Sequence, residues 1–373
     1  MKKVLILGGT GAMGVHLVDI LNASNRWKIN VTSRTPHSPN KNVTYILGNA
    51  RDNSFLNGLL CERYDSIIDF MNYDYAEMAA RIIKLLSSTD HYIWFSSCRV
   101  YADSVTPITE TSPRLLETTT DKEFLQTNRY ALRKARQEEL IVHSGYSNYT
   151  IIRPYITYSD SRLQLGVYEK EQWLYRILKG RDLVINKEIL FKKTTLTFGY
   201  DVAFAISKCI CNEIAYGKTI QIASKETKTW YEILKIYLSV IKDKKGICPQ
   251  IYLCDKMRAI DELYEGGYNT IYDRVFNRSF NSSLIEKVIG QSICYKEMET
   301  GLQESLENFL NKGLPFLAID WKFEAFQDYL LQQRTPESDI PTLDERNIYN
   351  NCRNIGITGR EIVLERILEK VKL

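Results

Sequence analysis

The chain has 373 residues, of which 44% are hydrophobic and 25% are charged, and its formal net charge is +4. This composition is typical of a globular protein with a large core, and the length favours two lobes or one large α/β unit. The small net charge argues against a nucleic-acid-binding tract and against a membrane-binding face. The first apolar run, residues 4–7, is too short for an export signal, and no later run could span a bilayer.

The cysteines and histidines are scattered without the paired spacing that metal ligands require. We therefore expect no metal site. Reduced thiols in a cytoplasmic protein are the simplest interpretation of the cysteines.

The first elements in chain order are a strand, a glycine-rich turn and a helix. An apolar run at residues 4–7 breaks into glycines, and a helical pattern continues through Leu17 and Leu21. Glycine lets the backbone turn tightly and approach a ligand, and a helix N-terminus offers free N–H groups with a partial positive charge. We expect this turn to hold the pyrophosphate of a dinucleotide. The residues expected to contact it are Gly8, Thr10, Gly11, Ala12, Met13 and Gly14.

Strand-like and helical segments alternate through the N-terminal half. The predicted strands are residues 3–7, 29–32, 44–47, 66–70, 92–95 and 150–153. The predicted helices between them are residues 13–21, 53–60, 75–86 and 128–142. This alternation predicts an α/β fold with a doubly wound parallel sheet, the Rossmann arrangement, which binds ligands at the carboxyl ends of its strands.

The alternation of predicted strands and helices ends after Pro154. We predict a dinucleotide-binding domain over residues 1–160 with a return segment over 195–225. A smaller, mainly helical C-terminal substrate lobe is predicted over residues 161–194 and 226–330, followed by a helical extension over 331–373. Capping boxes at Thr229–Glu232 and at Thr358–Glu361 predict helix starts.

Tyr130 and Lys134 are four residues apart on a predicted helix, so they share one face. An ammonium near a phenol favours the ionised form of the phenol and makes it a proton donor and acceptor nearer neutral pH. Ser96 and Ser97 follow the fifth strand, where a hydroxyl can bond the same substrate oxygen that the tyrosine protonates. Each signal alone is common on surfaces and in turns. Their occurrence together at one sheet edge favours a catalytic site.

With these residues the chain resembles the extended short-chain dehydrogenase/reductase family of NAD(P)-dependent sugar epimerases, dehydratases and reductases. The resemblance covers roughly the first 310 residues. The specific matches are the turn Gly8-x-x-Gly11-x-x-Gly14, the Ser/Thr position at Ser97, and Tyr130-x-x-x-Lys134. Looser matches are found at Arg153-Pro154, at Asp201 and at Arg278.

The resemblance implies a role for each catalytic residue. Tyr130 is the acid/base, Lys134 favours its ionised form and holds the nicotinamide ribose, and Ser97 orients the substrate hydroxyl or ketone. The implied reaction is hydride transfer between the nicotinamide and a carbon of a nucleotide-linked sugar. A homodimer formed through helices 75–86 and 128–142 is also implied, with no nucleic-acid partner.

The residues after the second strand bear on which dinucleotide is used. An NAD-preferring site usually carries an acidic residue there, whereas this chain has Ser33 and Arg34. A guanidinium suits the 2′-phosphate of NADP, so we expect NADP rather than NAD. Asn49 and Ala50 are expected near the adenine, although relatives often have Gly-Asp where this chain has Gly48-Asn49.

The substrate contacts are less well marked. The candidates are Ser97, Cys98, Tyr155, Tyr158, Arg162 and Arg278, with Arg176 and Arg274 as further arginines for a diphosphate. Family members that perform 4,6-dehydration usually carry Asp-Glu after the Ser/Thr, whereas this chain has Cys98-Arg99, so dehydration is disfavoured. Cys98 is either an acid/base near the substrate or a small buried side chain.

Two classes of function stay open. The first is an NAD(P)-dependent epimerase or 4-keto reductase of a nucleotide sugar. The second is a non-catalytic regulatory or RNA-binding protein on the same fold.

Overall fold

The computed structural model describes residues 1–38, 40–254, 267–355 and 368–370. The strands in chain order are β1 (Lys2–Leu7), β2 (Trp27–Ser33), β3 (Val43–Leu47), β4 (Tyr64–Asp69), β5 (Thr89–Phe95), β6 (Tyr149–Pro154), β7 (Thr157–Tyr158), β8 (Leu183–Asn186), β9 (Lys193–Thr194), β10 (Thr197–Phe198), β11 (Lys218–Ile222), β12 (Lys228–Thr229), β13 (Ile251–Cys254) and β14 (Leu368–Lys370).

The α-helices are α1 (Gly14–Ser24), α2 (Asn53–Leu59), α3 (Tyr75–Ser87), α4 (Leu115–Thr118), α5 (Lys122–Gln126), α6 (Tyr130–Val142), α7 (Lys170–Leu178), α8 (Lys187–Leu190), α9 (Gly199–Cys209), α10 (Trp230–Lys245), α11 (Gly267–Asn269), α12 (Ser283–Ile289), α13 (Met298–Lys312), α14 (Trp321–Leu331) and α15 (Leu343–Ile355).

A seven-stranded sheet has the spatial order β11-β6-β5-β4-β1-β2-β3, and all its neighbouring strands are parallel. The four last residues of β1 are fully buried, as expected for a parallel strand that is covered on both faces. The chain builds outward from β1 to β3 and then returns to add β4 on the other side. The strand order therefore reverses between β1 and β4, where open α/β sheets bind their ligands.

Helices cover both faces of this sheet. One apolar layer joins Ile6 on β1 to Leu17 on α1 and Val202 on α9. The opposite layer joins Leu5 on β1 to Met78 on α3, and Ile141 on α6 belongs to the same layer. Alternate residues of β1 thus face opposite layers, which confirms the predicted doubly wound α/β fold.

The chain divides into two compact units. The sheet unit comprises Met1–Ser159, Thr195–Thr227 and Arg278–Met298, and the helical unit comprises Asp160–Thr194, Lys228–Asn277 and Glu299–Leu373. Two segments are assigned differently from the prediction, and the other boundaries agree within two residues. The segment 278–298 joins the sheet unit, because Gln221 on β11 donates hydrogen bonds to the carbonyls of Ile108 and Asn281. The segment from 331 belongs to the helical unit rather than forming a separate extension.

The helical unit has a small sheet in which β13 pairs parallel with β8 and antiparallel with β14. The predicted capping box at the start of α10 is confirmed, because Thr229 accepts from the Glu232 N–H and Glu232 accepts from the Thr229 N–H. The helix start predicted at Thr358 lies outside the described residues. Residues 368–370, which the predicted helical extension includes, form the strand β14.

Candidate active site

The turn after β1 brings the start of α1 against the end of the strand. Gly8 has φ +71°, a left-handed conformation that favours glycine, and its N–H donates to the Thr32 hydroxyl of β2 at 3.0 Å. A Cβ added to Gly14 would lie 2.5 Å from the carbonyl oxygen of Gly9, so only glycine allows this close approach. Met13 gives α1 no side-chain cap. The first turn of α1 therefore has no side-chain oxygen bonded to its N–H groups from the capping position.

Gly11 lies between these two close contacts and faces open space. An added Cβ there would meet no atom within 4 Å. Thr10 and Gly11 are exposed, and Ala12 and Met13 are partly exposed. An accessible turn before an uncapped helix N-terminus suits the pyrophosphate of a dinucleotide, so the geometry fits such a cofactor.

A polar cluster forms at the carboxyl end of β2. The Ser33 hydroxyl lies 3.0 Å from His37 Nε2 and 3.3 Å from the Thr35 hydroxyl. The His37 ring stacks on Tyr45 of β3, with ring centroids 4.6 Å apart. Arg34 is exposed beside them. The cluster offers an exposed guanidinium and several hydrogen-bonding groups at the end of β2.

The end of β3 lies beside the end of β2. The Gly48 N–H donates to the Ser33 carbonyl at 2.9 Å. Asn49 is exposed and accepts the Arg51 N–H at 3.1 Å, whereas Ala50 is buried. Both residues predicted near the adenine therefore lie at the same sheet edge as Arg34.

Ser97 caps a short 3₁₀ turn, Cys98–Val100, directly after β5. Its hydroxyl accepts the Arg99 N–H at 3.2 Å, which leaves the hydroxyl proton able to donate elsewhere. The side chain is nearly buried, with 6% of the residue exposed. A hydroxyl held in this way at a strand end can orient a substrate oxygen.

Tyr130 is the first residue of α6, two residues later than the predicted helix start, because Arg129 is extended and acts as the N-cap. Lys134 follows one turn later, and its Nζ lies 5.9 Å from the centroid of the Tyr130 ring. The Arg99 guanidinium lies over the same ring at 4.8 Å. The structure therefore brings the Tyr130 ring, the Lys134 amine and the turn that begins at Ser97 to one place.

Lys134 is anchored to β5. Its Nζ donates to the Phe95 carbonyl at 2.8 Å and lies 4.4 Å from the centroid of the Trp94 ring. Burial lowers the pKa of Lys134 to about 7, while the carboxylate of Asp69 opposes that fall. The amine therefore changes charge near neutral pH.

Cys98 and two predicted substrate tyrosines are buried among protein atoms. The Cys98 thiol donates to the Arg153 carbonyl at 3.1 Å, and burial raises its pKa well above the usual range. This favours the interpretation of Cys98 as a small buried side chain. Tyr155 packs on Phe280 with ring centroids 4.9 Å apart, and only 1% of Tyr155 is exposed. Tyr158 is fully buried.

The candidate arginines have protein partners. Arg278 is fully buried and donates to the carbonyls of Tyr101 and Ala102 at 3.0 and 2.7 Å. Arg176 is also fully buried and pairs with Glu324 and Asp328, so it is not available to a diphosphate.

The other two candidates belong to the helical unit. Arg274 is almost fully buried and donates to the Gly166 carbonyl at 2.9 Å. Arg162 pairs with Glu169 at 3.0 Å and is 39% exposed in its side chain. It is therefore the most accessible of the four arginines.

Two groups near the site have no counterpart in the sequence-based prediction. His37 bonds the Ser33 hydroxyl, and Asp69 lies fully buried at the end of β4. The signal for Asp69 was a lone carboxylate near the end of an apolar run. The prediction extended that strand to Phe70, which concealed the terminal position of Asp69.

Among the residues that the structure describes, no helix has the length and apolar character needed to cross a membrane. The same residues contain no group of three or more His, Cys, Asp or Glu side chains arranged to hold a metal ion.

Residues 4–223 match the model of the NAD dependent epimerase/dehydratase family. The match covers β1 through β11, which includes the glycine turn, the Ser97 turn and the helix of Tyr130. The chain belongs to this family. The predicted resemblance is therefore confirmed, and the parallel sheet flanked by helices agrees with it.

Two curated proteins are similar to this family member. The 2'-dehydrokanamycin reductase of Streptomyces kanamyceticus is 26% identical over 238 residues, which cover 62% of this chain and 64% of that protein. The chloroplast stem-loop binding protein of 41 kDa b of Arabidopsis thaliana is 26% identical over 251 residues, covering 63% of this chain and 62% of that protein. The chain thus matches less than two thirds of either relative's length.

A solved structure shares the fold. The dTDP-glucose 4,6-dehydratase of Bacillus anthracis, solved in complex with NAD, superimposes with a TM-score of 0.63 and 16% identity. The superposition covers 83% of this chain and 97% of that one. At this identity the likeness shows the fold alone.

Proposed function

We propose that this chain is a catalytic NAD(P)-dependent oxidoreductase or isomerase of a nucleotide-activated sugar, working as an epimerase or a 4-keto reductase. Tyr130 is its acid/base, Lys134 holds the nicotinamide ribose, and Ser97 orients the reacting oxygen. The observation that carries the proposal is the gathering of the Lys134 amine, the Tyr130 ring and the Ser97 turn at the end of β5.

The protein residues transfer a proton and orient the reacting oxygen of the substrate. When bound, a nicotinamide dinucleotide supplies or accepts the hydride. Tyr130 gives its phenolic proton to a substrate carbonyl oxygen during reduction and takes it back during oxidation. Ser97 donates a hydrogen bond to the same oxygen without losing its proton, because the bond that it accepts from the Arg99 N–H leaves its O–H available.

The preferred dinucleotide in this proposal is NADP. Ser33 ends the second strand and Arg34 follows it, and no carboxylate stands at either position to bond a ribose 2′-hydroxyl. Asn49 and Ala50 border the adenine. NAD remains the alternative, and the dehydratase structure that shares the fold holds NAD.

A 4,6-dehydratase is disfavoured. Elimination of water needs a positioned acid/base pair, and Cys98 and Arg99 occupy the positions where dehydratases carry Asp-Glu. Burial raises the pKa of the Cys98 thiol, and a guanidinium does not lose its proton in proteins.

The substrate class and the reaction can be tested together. We would denature the purified protein and identify by mass any dinucleotide and sugar nucleotide that it releases. We would then supply NADPH or NADH with a panel of nucleotide-linked sugars and their 4-keto forms. Oxidation of the dinucleotide or epimerisation of a sugar supports the proposal, and neither reaction with any member of the panel contradicts it.

The second candidate is a non-catalytic regulatory or RNA-binding protein. It is favoured by one observation, the similarity to a protein whose name describes stem-loop binding. RNA affinity that falls steeply with salt, in a protein without turnover, would support this candidate over the enzyme. A cytoplasmic location and a homodimer stay predictions.

A further inference from the structure

A carboxyl group is fully buried at the carboxyl end of β4, next to the proposed active site. Asp69 is 0% exposed. One of its oxygens accepts the Met71 N–H and the other accepts the Tyr92 hydroxyl, both at 2.9 Å. A carboxyl group is seldom buried so completely unless it pairs with a cation or has a functional role.

The backbone register brings Asp69 and Lys134 to the same face of the sheet. Asp69 is the cross-strand partner of Trp94 on β5, and partners in parallel strands project their side chains to the same side. Lys134 Nζ lies 4.4 Å from the centroid of the Trp94 ring and is itself only 3% exposed. The carboxyl and the amine thus lie over neighbouring strand ends, away from water.

The helix that carries Lys134 is fixed to the loop after Asp69. Gln137 donates to the carbonyls of Tyr73 and Asp74 at 3.0 and 2.8 Å. Because Gln137 follows Lys134 by nearly one turn of α6, this contact joins the part of the helix next to Lys134 to the loop after β4. The arrangement is therefore built into the fold.

Other ionisable groups face this pair. Tyr92 reaches Asp69 from β5, and Tyr73 approaches it from the loop, with the Arg81 guanidinium of α3 over the Tyr73 ring at 4.4 Å. On α6, Arg133 disfavours and Glu138 favours the charge of Lys134. Asp69 is the largest favourable charge acting on the lysine.

Each member of the pair favours the charged form of the other. Burial raises the pKa of Asp69 to about 6, and the Lys134 ammonium opposes that rise. Burial lowers the pKa of Lys134 to about 7, and the Asp69 carboxylate opposes that fall. Burial thus favours the neutral form of each group, and the opposite charge of the other group favours its charged form.

We propose that Asp69 is a positioning residue that keeps the buried Lys134 amine protonated. The protonated amine can then act on Tyr130 and bind the nicotinamide ribose. The inference rests on the proposed function, because that function gives Lys134 its role. The inference assigns a role to Asp69, which is not one of the proposed catalytic residues Ser97, Tyr130 and Lys134. It also predicts that Lys134 loses its proton at a lower pH when the Asp69 carboxylate is removed.

The test is the titration of Lys134 in the dinucleotide-free protein. Protein labelled with ¹³C-lysine is titrated by NMR, and the Lys134 Cε signal is assigned by its loss in Lys134→Arg. In Asp69→Asn we expect the titration midpoint of Lys134 to fall by about 1 pH unit, because the largest charge that favours the ammonium is removed. Tyr92→Phe, which removes one hydrogen bond from the carboxylate, should lower the midpoint less.

The matched control is Asp65→Asn, on the same strand. Asp65 accepts the Lys3 N–H at 2.6 Å at the other end of β4, and its replacement should leave the Lys134 midpoint unchanged. The affinity for NADPH, measured across pH by calorimetry, should weaken at pH 7 about tenfold in Asp69→Asn and recover at lower pH. An unchanged Lys134 midpoint in both Asp69→Asn and Tyr92→Phe overturns the proposal.

This outcome is distinct from failure of the proposed function. If the proposed function is wrong, the wild-type protein will bind no dinucleotide and will convert no nucleotide-linked sugar. The lysine titration needs neither ligand nor activity, so it reports on Asp69 alone.

Discussion

Arg34 is the exposed side chain on which the preference for NADP depends. We expect Arg34→Asp to weaken NADP binding about 10- to 100-fold, because a charge-assisted bond to phosphate is lost and a repulsive carboxylate is added. NAD affinity should stay the same or improve. Calorimetry with both dinucleotides measures the change.

The control for this variant is Arg26→Asp, which alters an exposed arginine at the opposite end of the same strand. This control should change neither the affinity for NADP nor the affinity for NAD. Equal NADP binding by Arg34→Asp and wild type would remove Arg34 from the cofactor site.

Residues on one helix were easier to predict than residues that meet across strands. Tyr130 and Lys134 could be paired from the sequence because four residues make about one helical turn. Asp69 and Lys134 are 65 positions apart, and only the strand register through Trp94 brings them together. The protein partners of Arg278 and Arg176 could not be predicted for the same reason, because those partners are distant in the sequence.

At the scale of elements, two glycines at the junction of β1 and α1 have different expected roles. Gly14 allows the close packing of the turn, and Gly11 borders the expected cofactor site. Gly14→Ala should destabilise the protein by about 1–3 kcal/mol, because its Cβ would collide with the Gly9 carbonyl at 2.5 Å. Urea unfolding measures this loss.

Gly11→Ala is the matched variant with the opposite outcome. Its Cβ meets no protein atom within 4 Å and its φ is not left-handed, so stability should change by less than about 1 kcal/mol. Dinucleotide affinity should nevertheless fall about tenfold or more, because the added methyl group occupies the space expected for pyrophosphate. Normal binding by Gly11→Ala would show that the pyrophosphate lies elsewhere.

The regular elements of the sheet unit followed closely from sequence periodicity. The predicted strands of residues 3–7 and 44–47 each gained one residue at the start, because backbone pairing extends slightly beyond the apolar run. Short strands such as β7 and β10 have two residues each and could not be recognised, because two residues show no periodicity.

At the scale of the whole molecule, the helical unit contains a buried ion cluster. Arg176 contacts Glu324 at 3.0 Å and Asp328 at 2.8 Å, and all three side chains are at most 1% exposed. Asp328 also accepts hydrogen bonds from Thr335 and Tyr349. These bonds attach the segment after residue 331 to the helical unit, which explains why it forms no separate extension.

Removing the arginine from this cluster should be costly. Arg176→Met leaves two buried carboxylates without their main cation, and we expect a loss of about 3–5 kcal/mol of unfolding free energy. The exposed pair Lys179–Asp339, at 2.8 Å, provides the control, and Lys179→Met should cost at most about 1 kcal/mol. Equal unfolding midpoints for the two variants would contradict this account of the cluster.

The most direct test of the central claim compares Tyr130→Phe with wild type in two measurements on the same preparations. Dinucleotide affinity is measured by calorimetry, and turnover is measured with the nucleotide-linked sugar that wild type converts. We predict that Tyr130→Phe binds the dinucleotide as wild type does and loses about 10²- to 10⁴-fold in turnover, because general acid/base catalysis is removed. Turnover equal to that of wild type would contradict the assignment of Tyr130 as the acid/base.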